Sequence, residues 1–459
     1  MKVKRKLSEK KNEKQFIAMA ESYIVLMLFL SFFVFTFIGA GNFVIFSMTG
    51  LLLCFTGLMQ GTVKVDLWIL VPLIAYNAIS LISGFRTYGN TVDGFASTQS
   101  VFPVIYLLTA YLDKNDRSWL KMFCCMWVGV MAVIGILQFT LASFHGGMGR
   151  LSGFMGNPNA MGAMLALGWF ATESLLNDSV VQDKRPRKLM HAAEFMILTA
   201  MALTLSVGAL GAFSVGFIVM CIYGRSGYAD IISGLSNVIF AFGCGVLLYA
   251  SANHTYWPWL SVLICLYIFT ASIYRRQFEM FTKEHKVWAK AICAAGILGT
   301  LTLIYLRPNA AATFSERLEM IRNGLGYISA QPVLGIGPYQ WRRLNLYDGD
   351  TYFNTWHIHN IFIHVGVELG LIAMAVLLVT LIRHITKKED SAGRGGFTAA
   401  VVHNLMDTSF FYMATVPFLM MTAGRDEEKE HRLGTAAVKC IFGAFSVLFL
   451  WNFIQCVTA

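Results

Sequence analysis

The chain has 459 residues, 56% hydrophobic and only 14% charged, with a net charge of +10 and a mean hydropathy of +0.59. A soluble domain carries roughly 25% charged residues, so this chain cannot coat a water-facing surface of its size. A soluble enzyme, a nucleic-acid binder and a disordered scaffold are disfavoured, which leaves a polytopic membrane protein whose apolar runs satisfy their own backbone as helices.

The positive charge is not spread evenly. Lys2, Lys4, Arg5, Lys6, Lys10, Lys11 and Lys14 precede every apolar run, and most other basic residues lie in short links. This is the positive-inside pattern, and a basic cytoplasmic tail over residues 1–16 beside anionic lipid needs no nucleic acid to explain it. The nine cysteines all fall in apolar stretches without CxxC spacing, against both a disulfide framework and a zinc site.

Taken in chain order, apolar runs long enough to cross a bilayer lie near 17–38, 40–60, 66–84, 96–112, 118–142, 158–176, 191–206, 208–224, 234–252, 256–274, 287–306, 360–385, 396–423 and 434–456. The expected fold is a single all-α polytopic membrane domain over 1–459 with about 12–14 transmembrane helices. The first run is too long for a signal peptide and lacks a small-residue cleavage site, so it reads as a retained helix. Starting from an inside N-terminus, Lys64, Lys114, Arg117, Lys184, Arg185, Arg187, Lys188, Arg275, Arg276, Lys283, Lys286, Arg383, Lys387, Lys388 and Arg394 all fall inside. The outer loops through residue 359 hold no lysine. The run 396–423 is long for one crossing and carries His403 and Asp407. Two topologies stay open there: one crossing, or a short re-entrant helix with 409–423 crossing alone and 424–433 inside.

One loop is large, the external segment 307–359. Thr313 and Glu316 have capping-box spacing, and Leu318, Ile321, Leu325 and Ile328 follow on one helical face. Pro332 ends this helix, Gly335 and Gly337 supply turns, and the helix is expected to lie on the outer membrane surface. The loop holds five arginines (Arg307, Arg317, Arg322, Arg342, Arg343) and no lysine. A guanidinium is a planar fork of donors suited to phosphate, and a lipid carrier's head is the obvious phosphate at this face. The alternatives are snorkelling, or salt bridges to Glu316, Glu319, Asp348 or Asp350. His357, His359 and His364 cluster at the loop's end. They make a weak metal set but supply a general base suited to neutral pH, with interface anchoring as the plain alternative.

Three segments together resemble the O-antigen ligase and Wzy-type polymerase superfamily of bacterial membrane glycan transferases. They are RLSGFMGNPNAMGAMLALG at 150–168, SERLEMIRNGLGYISAQPVLGIGPYQW at 315–341 and HNIFIHVGVELGLIAMAVLL at 359–378. The first resembles the family's Arg-x-Ser-Gly…Asn-Pro-Asn start of a span. The second carries its loop arginine and Pro-x-x-Gly-x-Gly turn, and the third its His-Asn…Glu-x-Gly signature. The likeness covers roughly residues 120–420.

The resemblance implies an all-helical scaffold of the kind found in membrane glycosyltransferases that use lipid-linked donors (GT-C type). It also implies a metal-independent, inverting transfer with no cofactor. A glycan would pass from an undecaprenyl-pyrophosphate-linked oligosaccharide to an acceptor glycan hydroxyl, at the outer face of the bacterial cytoplasmic membrane. Arg150 and Arg317 fall at positions associated with the pyrophosphate, and His359 at the one associated with the acceptor. Arg322, Arg86, Asn360, Asn159, Glu368 and His403 are the candidate substrate-binding residues. Where the family commonly has Thr-x-Ser-Arg-Gly, this chain reads Thr204-Leu-Ser-Val-Gly208, with Val207 at the arginine position. Either another external arginine (Arg86, Arg307 or Arg322) takes over, that site is weaker here, or the segments do not correspond.

Other readings weigh against some of these residues. Asn157-Pro158-Asn159 suits a turn that starts a helix. Glu368 is expensive in an apolar span unless paired, and His403 and Asp407, spaced i, i+4, are expected to hydrogen-bond each other. Polymerisation of repeat units is favoured over ligation to a lipid A core or another surface acceptor. A transporter or flippase is the alternative of another class, opposed by the single charge-rich loop and the absence of a repeat between halves.

Overall fold

The computed structural model describes residues 2–39, 41–89, 95–178, 184–254, 257–306, 310–347, 355–386 and 390–458. The sequence expectations for Arg307, Asp348, Asp350, Lys387 and Lys388 fall outside these residues. In chain order the helices are α1 (Lys2–Ile38), α2 (Phe43–Leu58), α3 (Leu67–Tyr88), α4 (Phe95–Tyr111), α5 (Lys114–Ala142) and α6 (Pro158–Leu176). Then come α7 (Lys184–Leu203), α8 (Val207–Tyr223), α9 (Tyr228–His254), α10 (Trp259–Ile273), α11 (Arg275–Glu284) and α12 (Lys286–Leu306). The last six are α13 (Ala310–Ala330), α14 (Gln340–Tyr347), α15 (Ile361–Thr386), α16 (Ser391–Asn404), α17 (Thr415–Thr422) and α18 (Thr435–Thr458). Strands β1 (Val63–Val65) and β2 (His431–Leu433) pair antiparallel.

The chain is thus an all-α polytopic membrane protein, and each apolar run of the sequence is helical. Among the described residues, six helices are by themselves long and apolar enough to cross a membrane. Phe43–Leu58, Gln99–Tyr111, Val207–Tyr223 and Trp259–Ile273 are apolar but shorter, and α6 is enclosed by its neighbours, with almost every residue after its first turn buried. Small residues set the closest approaches. Gly50 and Gly57 of α2 receive the rings of Phe449 and Phe442 from α18. Gly216 of α8 meets Gly395 of α16 backbone to backbone, where a Cβ on either would stand 2.5–2.6 Å from the other's carbonyl oxygen. Such stripes let helices pack in lipid without a hydrophobic driving force between them.

The run 396–423 is not a single crossing. α16 and α17 are separate, and both outer ends of the pair lie on one face of the bundle. Ser174 near the end of α6 bonds to Asp390, and Arg425 donates to the Ala110 and Lys64 carbonyls at 3.1 Å each. The first turns of α5 tie those places together, through Arg117 to the Thr109 carbonyl and Lys121 to Ser174. Between its ends the pair reaches the opposite face, where Met413 N–H donates to the Gly39 carbonyl and Asn360 to the Leu405 carbonyl. The pair is therefore a helical hairpin that enters and leaves on the face carrying the basic links. Residues 424–433 lie on that face, beside β1. Phe418 of α17 packs on Phe32 of α1, ring centroids 5.3 Å apart.

In the large loop, α13 begins at Ala310, so Thr313 lies inside the helix and is not its cap. The helix is also not free on the membrane surface: Met320 and Ile328 are buried, and a Cβ on Gly324 would strike Ile363 and Ile358. Phe314, Leu318 and Leu325 stay exposed along its other apolar edge.

Candidate active site

The frame of the site is a break in α15. Gly370 has φ 85° and ψ 176°, which interrupts the helix and strands the carbonyls of Val367 and Glu368 and the N–H of Leu371. The turn Pro332–Gly337 docks into that break. Ile336 N–H donates to the Val367 carbonyl at 2.8 Å, and Gly337 N–H to that of Glu368 at 3.0 Å. Leu371 N–H donates to the Pro332 carbonyl at 2.7 Å. These three groups are thus satisfied, as buried backbone requires. Only glycine fits the contact: a Cβ on Gly335 would lie 2.4 Å from the Glu368 carbonyl carbon, and one on Gly370 would lie 2.2 Å from the Val333 oxygen.

The end of α3 clamps the same turn. Ser83 donates to the Leu334 carbonyl, Tyr88 to that of Pro338, and Arg86 to the Gln331 side chain and the Gly335 carbonyl. Arg86 therefore braces the turn with its guanidinium, an arrangement that leaves it a scaffold partner in this structure.

On this frame stands a cluster of charged and imidazole groups. Arg317 of α13 places Nη2 3.2 Å from the Asp407 carboxylate, which lies in the hairpin turn between α16 and α17 and is buried. The Arg317 Nε is buried with no hydrogen-bond partner among the described residues. His359 lies in the electrostatic reach of Asp407, Arg317 and Glu316, and its Nδ1 is buried and likewise unpartnered. Burial pushes the His359 pKa below its ordinary value, Arg317 adds to that, and Asp407 and Glu316 oppose it. A histidine so placed is neutral near pH 7, the form a base needs.

Behind His359 lies a chain of buried imidazoles. Ile358 N–H points at His364 Nδ1 at 3.4 Å, which leaves the His364 proton on Nε2, 3.2 Å from His357 Nδ1 and 3.5 Å from the Glu368 carboxylate. His357 stacks flat on Phe411 with centroids 4.1 Å apart, and burial, with His359 adding, pushes its pKa down to about 3. Glu368 thus lies beside His364 at the break, with neither carboxylate oxygen hydrogen-bonded among the described residues. The i, i+4 spacing of His364 and Glu368 on α15 and the nearby His357 are local in the sequence, and the turn before α15 brings the His357 ring onto His364.

His403 and Asp407 do not bond each other. α16 ends at Asn404, so the helical i, i+4 geometry is lost. His403 Nδ1 instead lies 3.0 Å from the Ser409 hydroxyl, while Asp407 takes Arg317 and the Thr408 N–H. Asp407 is the partner that sequence reading missed, since it lies 90 positions from Arg317.

Arg150 stands at the start of α6. Its Nε donates to the Thr204 carbonyl at 2.9 Å and its Nη2 to the Asn159 side chain at 2.7 Å. Asn157 caps α6 by accepting from the N–H groups of Asn159 and Ala160, as expected of a turn that starts a helix. The Thr204–Gly208 turn that Arg150 holds faces the cluster, for a Cβ on Gly208 would stand 3.9 Å from His403 Nε2. Asn360 is the cap of α15, accepting from Phe362 and Ile363 N–H while donating to Leu405. Arg322 is exposed, and Arg342 lies over the Trp356 ring and donates to the Thr355 carbonyl.

The structure thus groups Arg317, His359 and His403 with Asp407, and links Arg150 and Asn159 to them through one turn. Fixed cations beside a neutral imidazole suit chemistry in which negative charge develops on a leaving group while a hydroxyl loses its proton. Residues 192–378 match the family model described as O-Antigen ligase. No curated protein matches the chain. The matched stretch contains Arg317, His359, the docked glycine turn and the break in α15. Residues 192–378 of this chain therefore form a domain similar to the O-antigen ligase family.

Proposed function

We propose that the protein transfers a glycan from an undecaprenyl-pyrophosphate donor to an acceptor hydroxyl at the outer face of the cytoplasmic membrane, as a repeat-unit polymerase. The observation that carries this reading is the neutral His359 imidazole, with its buried Nδ1 unpartnered among the described residues, beside the Arg317–Asp407 pair. In the step proposed, the acceptor oxygen attacks the anomeric carbon as its proton passes to His359. The bond from that carbon to the pyrophosphate oxygen breaks, and the electron pair leaves with the diphosphate. Arg317 and Arg150 stabilise the charge that develops there. Attack opposite the leaving group inverts the anomeric centre. Asp407 aims the Arg317 guanidinium and offsets its burial, which an unpaired cation would not tolerate.

The absence of lysine from the loops on the site's side supports an outward-facing site. The description of the matched family favours a second reading, ligation to a lipid A core or another surface acceptor. Purified protein in lipid nanodiscs, supplied with synthetic lipid-pyrophosphate oligosaccharide, tests both. Chain growth without another acceptor supports polymerisation, and transfer only onto an added lipid A core supports ligation. Flux across vesicles with no new glycosidic bond overturns transferase activity in favour of transport.

A further inference from the structure

On the face that carries the basic links, a cavity of about 390 Å³ lies where α6, α7, α8, α9 and α11 come together. Glu173 and Asn177, which line it, flank the Ser174 that bonds to Asp390 on that face. The walls differ in character. α8 brings Phe217 and Met220, α7 brings Arg187 and His191, and α11 brings Arg275, Arg276, Glu279 and Lys283. Gly234 of α9 lies where the walls meet, since a Cβ there would stand 3.5 Å from the Phe217 ring. Tyr223 ends α8, Tyr228 begins α9 and Phe281 lies on α11, and all three are exposed, as aromatic side chains are at the headgroup level of a bilayer.

The charges that line this cavity do not cancel. Lys283 lies 3.1 Å from Glu279 and 3.4 Å from Asp230. Buried Arg275 donates to Glu194 and, at 2.9 Å, to Glu279, with Glu173 3.8 Å away. Each carboxylate lining the cavity is thus matched by one of these two cations. Arg187 and Arg276 are left over, with no hydrogen bond or ion pair among the described residues, and the Arg187 Nε is buried. Topology does not require this: exposed Arg185 and Lys188 of the same link already supply charge on that face, and the positive-inside bias asks nothing of a guanidinium turned into a cleft.

Further along α9, Asn237 also lines the cavity and is 2% exposed. Its Nδ2 donates to the Ser233 carbonyl at 2.8 Å, which fixes the amide and leaves Oδ1 as the free end. That oxygen is buried and lacks a hydrogen-bond partner among the described residues. A buried acceptor of this kind calls for a donor.

We propose that the cavity holds the head of an anionic phospholipid whose phosphodiester carries free hydroxyls, as in phosphatidylglycerol. The Arg187 and Arg276 guanidiniums take the phosphate oxygens, for which a planar fork of donors is suited. A hydroxyl of the head donates to Asn237 Oδ1, and the acyl chains stay in the leaflet beside the exposed rings. Basic pockets between helices at this level suit lipid heads. Bound there, the lipid ties α7 to α11 through a shared anion, on the face opposite the transfer site. A soluble phosphate ester has the same phosphate chemistry without the chains, and the test separates the two.

The test is native mass spectrometry of the full-length protein released from nanodiscs of phosphatidylcholine with added phosphatidylglycerol, which reads the lipid retained. Wild type is expected to keep phosphatidylglycerol in preference to phosphatidylcholine. Arg187→Gln combined with Arg276→Gln is expected to weaken that retention about tenfold or more, the scale of lost charge-assisted hydrogen bonds. Arg185→Gln, outside the cavity, should change it little. Wild type should also prefer phosphatidylglycerol to phosphatidic acid, and Asn237→Leu should lose that preference while binding both. Unchanged retention in the folded double variant, or an equal loss in Arg185→Gln, overturns the site. Should the double variant not fold, Arg276→Gln, at an exposed position, answers alone. Asn237→Leu that keeps the preference overturns the hydroxyl contact. Glycerol phosphate or inorganic phosphate displacing the lipid as well as phosphatidylglycerol does would overturn a lipid occupant in favour of a soluble one.

Discussion

The backbone N–H of Gly337 donates to the carbonyl of Glu368 at 3.0 Å, which joins the glycine turn of the large loop to the break in α15. The two glycine signatures are thus halves of one lock. The loop carrying Arg317 is held on the helix that follows His359.

That lock predicts a steric penalty. Gly370→Ala puts a Cβ 2.2 Å from the Val333 carbonyl oxygen at a left-handed φ, and Gly335→Ala one 2.4 Å from the Glu368 backbone. Each should destabilise the protein by about 2 kcal/mol or more, read as a lower melting temperature in detergent. Gly326→Ala, on an exposed and open position of α13, is the control and should leave melting unlowered or slightly raised, since alanine is the better helix former.

The Arg317–Asp407 pair predicts non-additivity. Arg317→Ala should lower transfer by roughly 10²–10³-fold, the scale of losing a preorganised charge. Arg317→Lys should recover little if a forked contact is needed. Asp407→Ala should cost less, and the double variant no more than Arg317→Ala alone, if Asp407 acts through Arg317. Additive losses would give Asp407 a separate role.

The depressed pKa of His359 predicts the pH profile. The base form persists below the ordinary value of 6.5, so the acid limb of kcat/KM should lie below pH 6.5. Stability follows the same sign. Below pH 6.5 the unfolded chain takes up protons that His357, at about 3, and His359 refuse when folded. Stability is therefore full above pH 6.5 and falls as the pH drops beneath it. Melting measured against pH in His357→Phe should show a shallower fall.

At the opposite face, buried Arg383 bonds to Asp66 and lies 3.4 Å from Asp426. Arg383→Ala leaves two carboxylates without their cation and should destabilise by about 3–5 kcal/mol. Arg383→Ala paired with Asp66→Asn should recover part of that loss in the same melting assay.

Much of the site was legible because its motifs are local. Arg317, the Pro332–Gly337 turn, His359 and Glu368 sit in two short segments whose residue types state their chemistry. Asn157 also read correctly as the place where a helix starts, whereas Asn360, expected to bind substrate, spends its side chain on the cap of α15. Arg86 could not be read this way. Its partners lie some 245 positions along the chain, and a guanidinium that braces a turn looks like one that waits for phosphate.

Hydropathy is a property of neighbouring residues, so the amino-acid order alone determined that the chain lives in a membrane, where its helices lie and which links carry lysine. Whether the stretch 396–423 crosses or folds back was decided by the paired strands and by Arg425 reaching the Ala110 and Lys64 carbonyls. That choice put Asp407 beside Arg317 and His403 beside the start of α8. These are contacts between residues far apart in the chain, and packing, which no local pattern encodes, selects them.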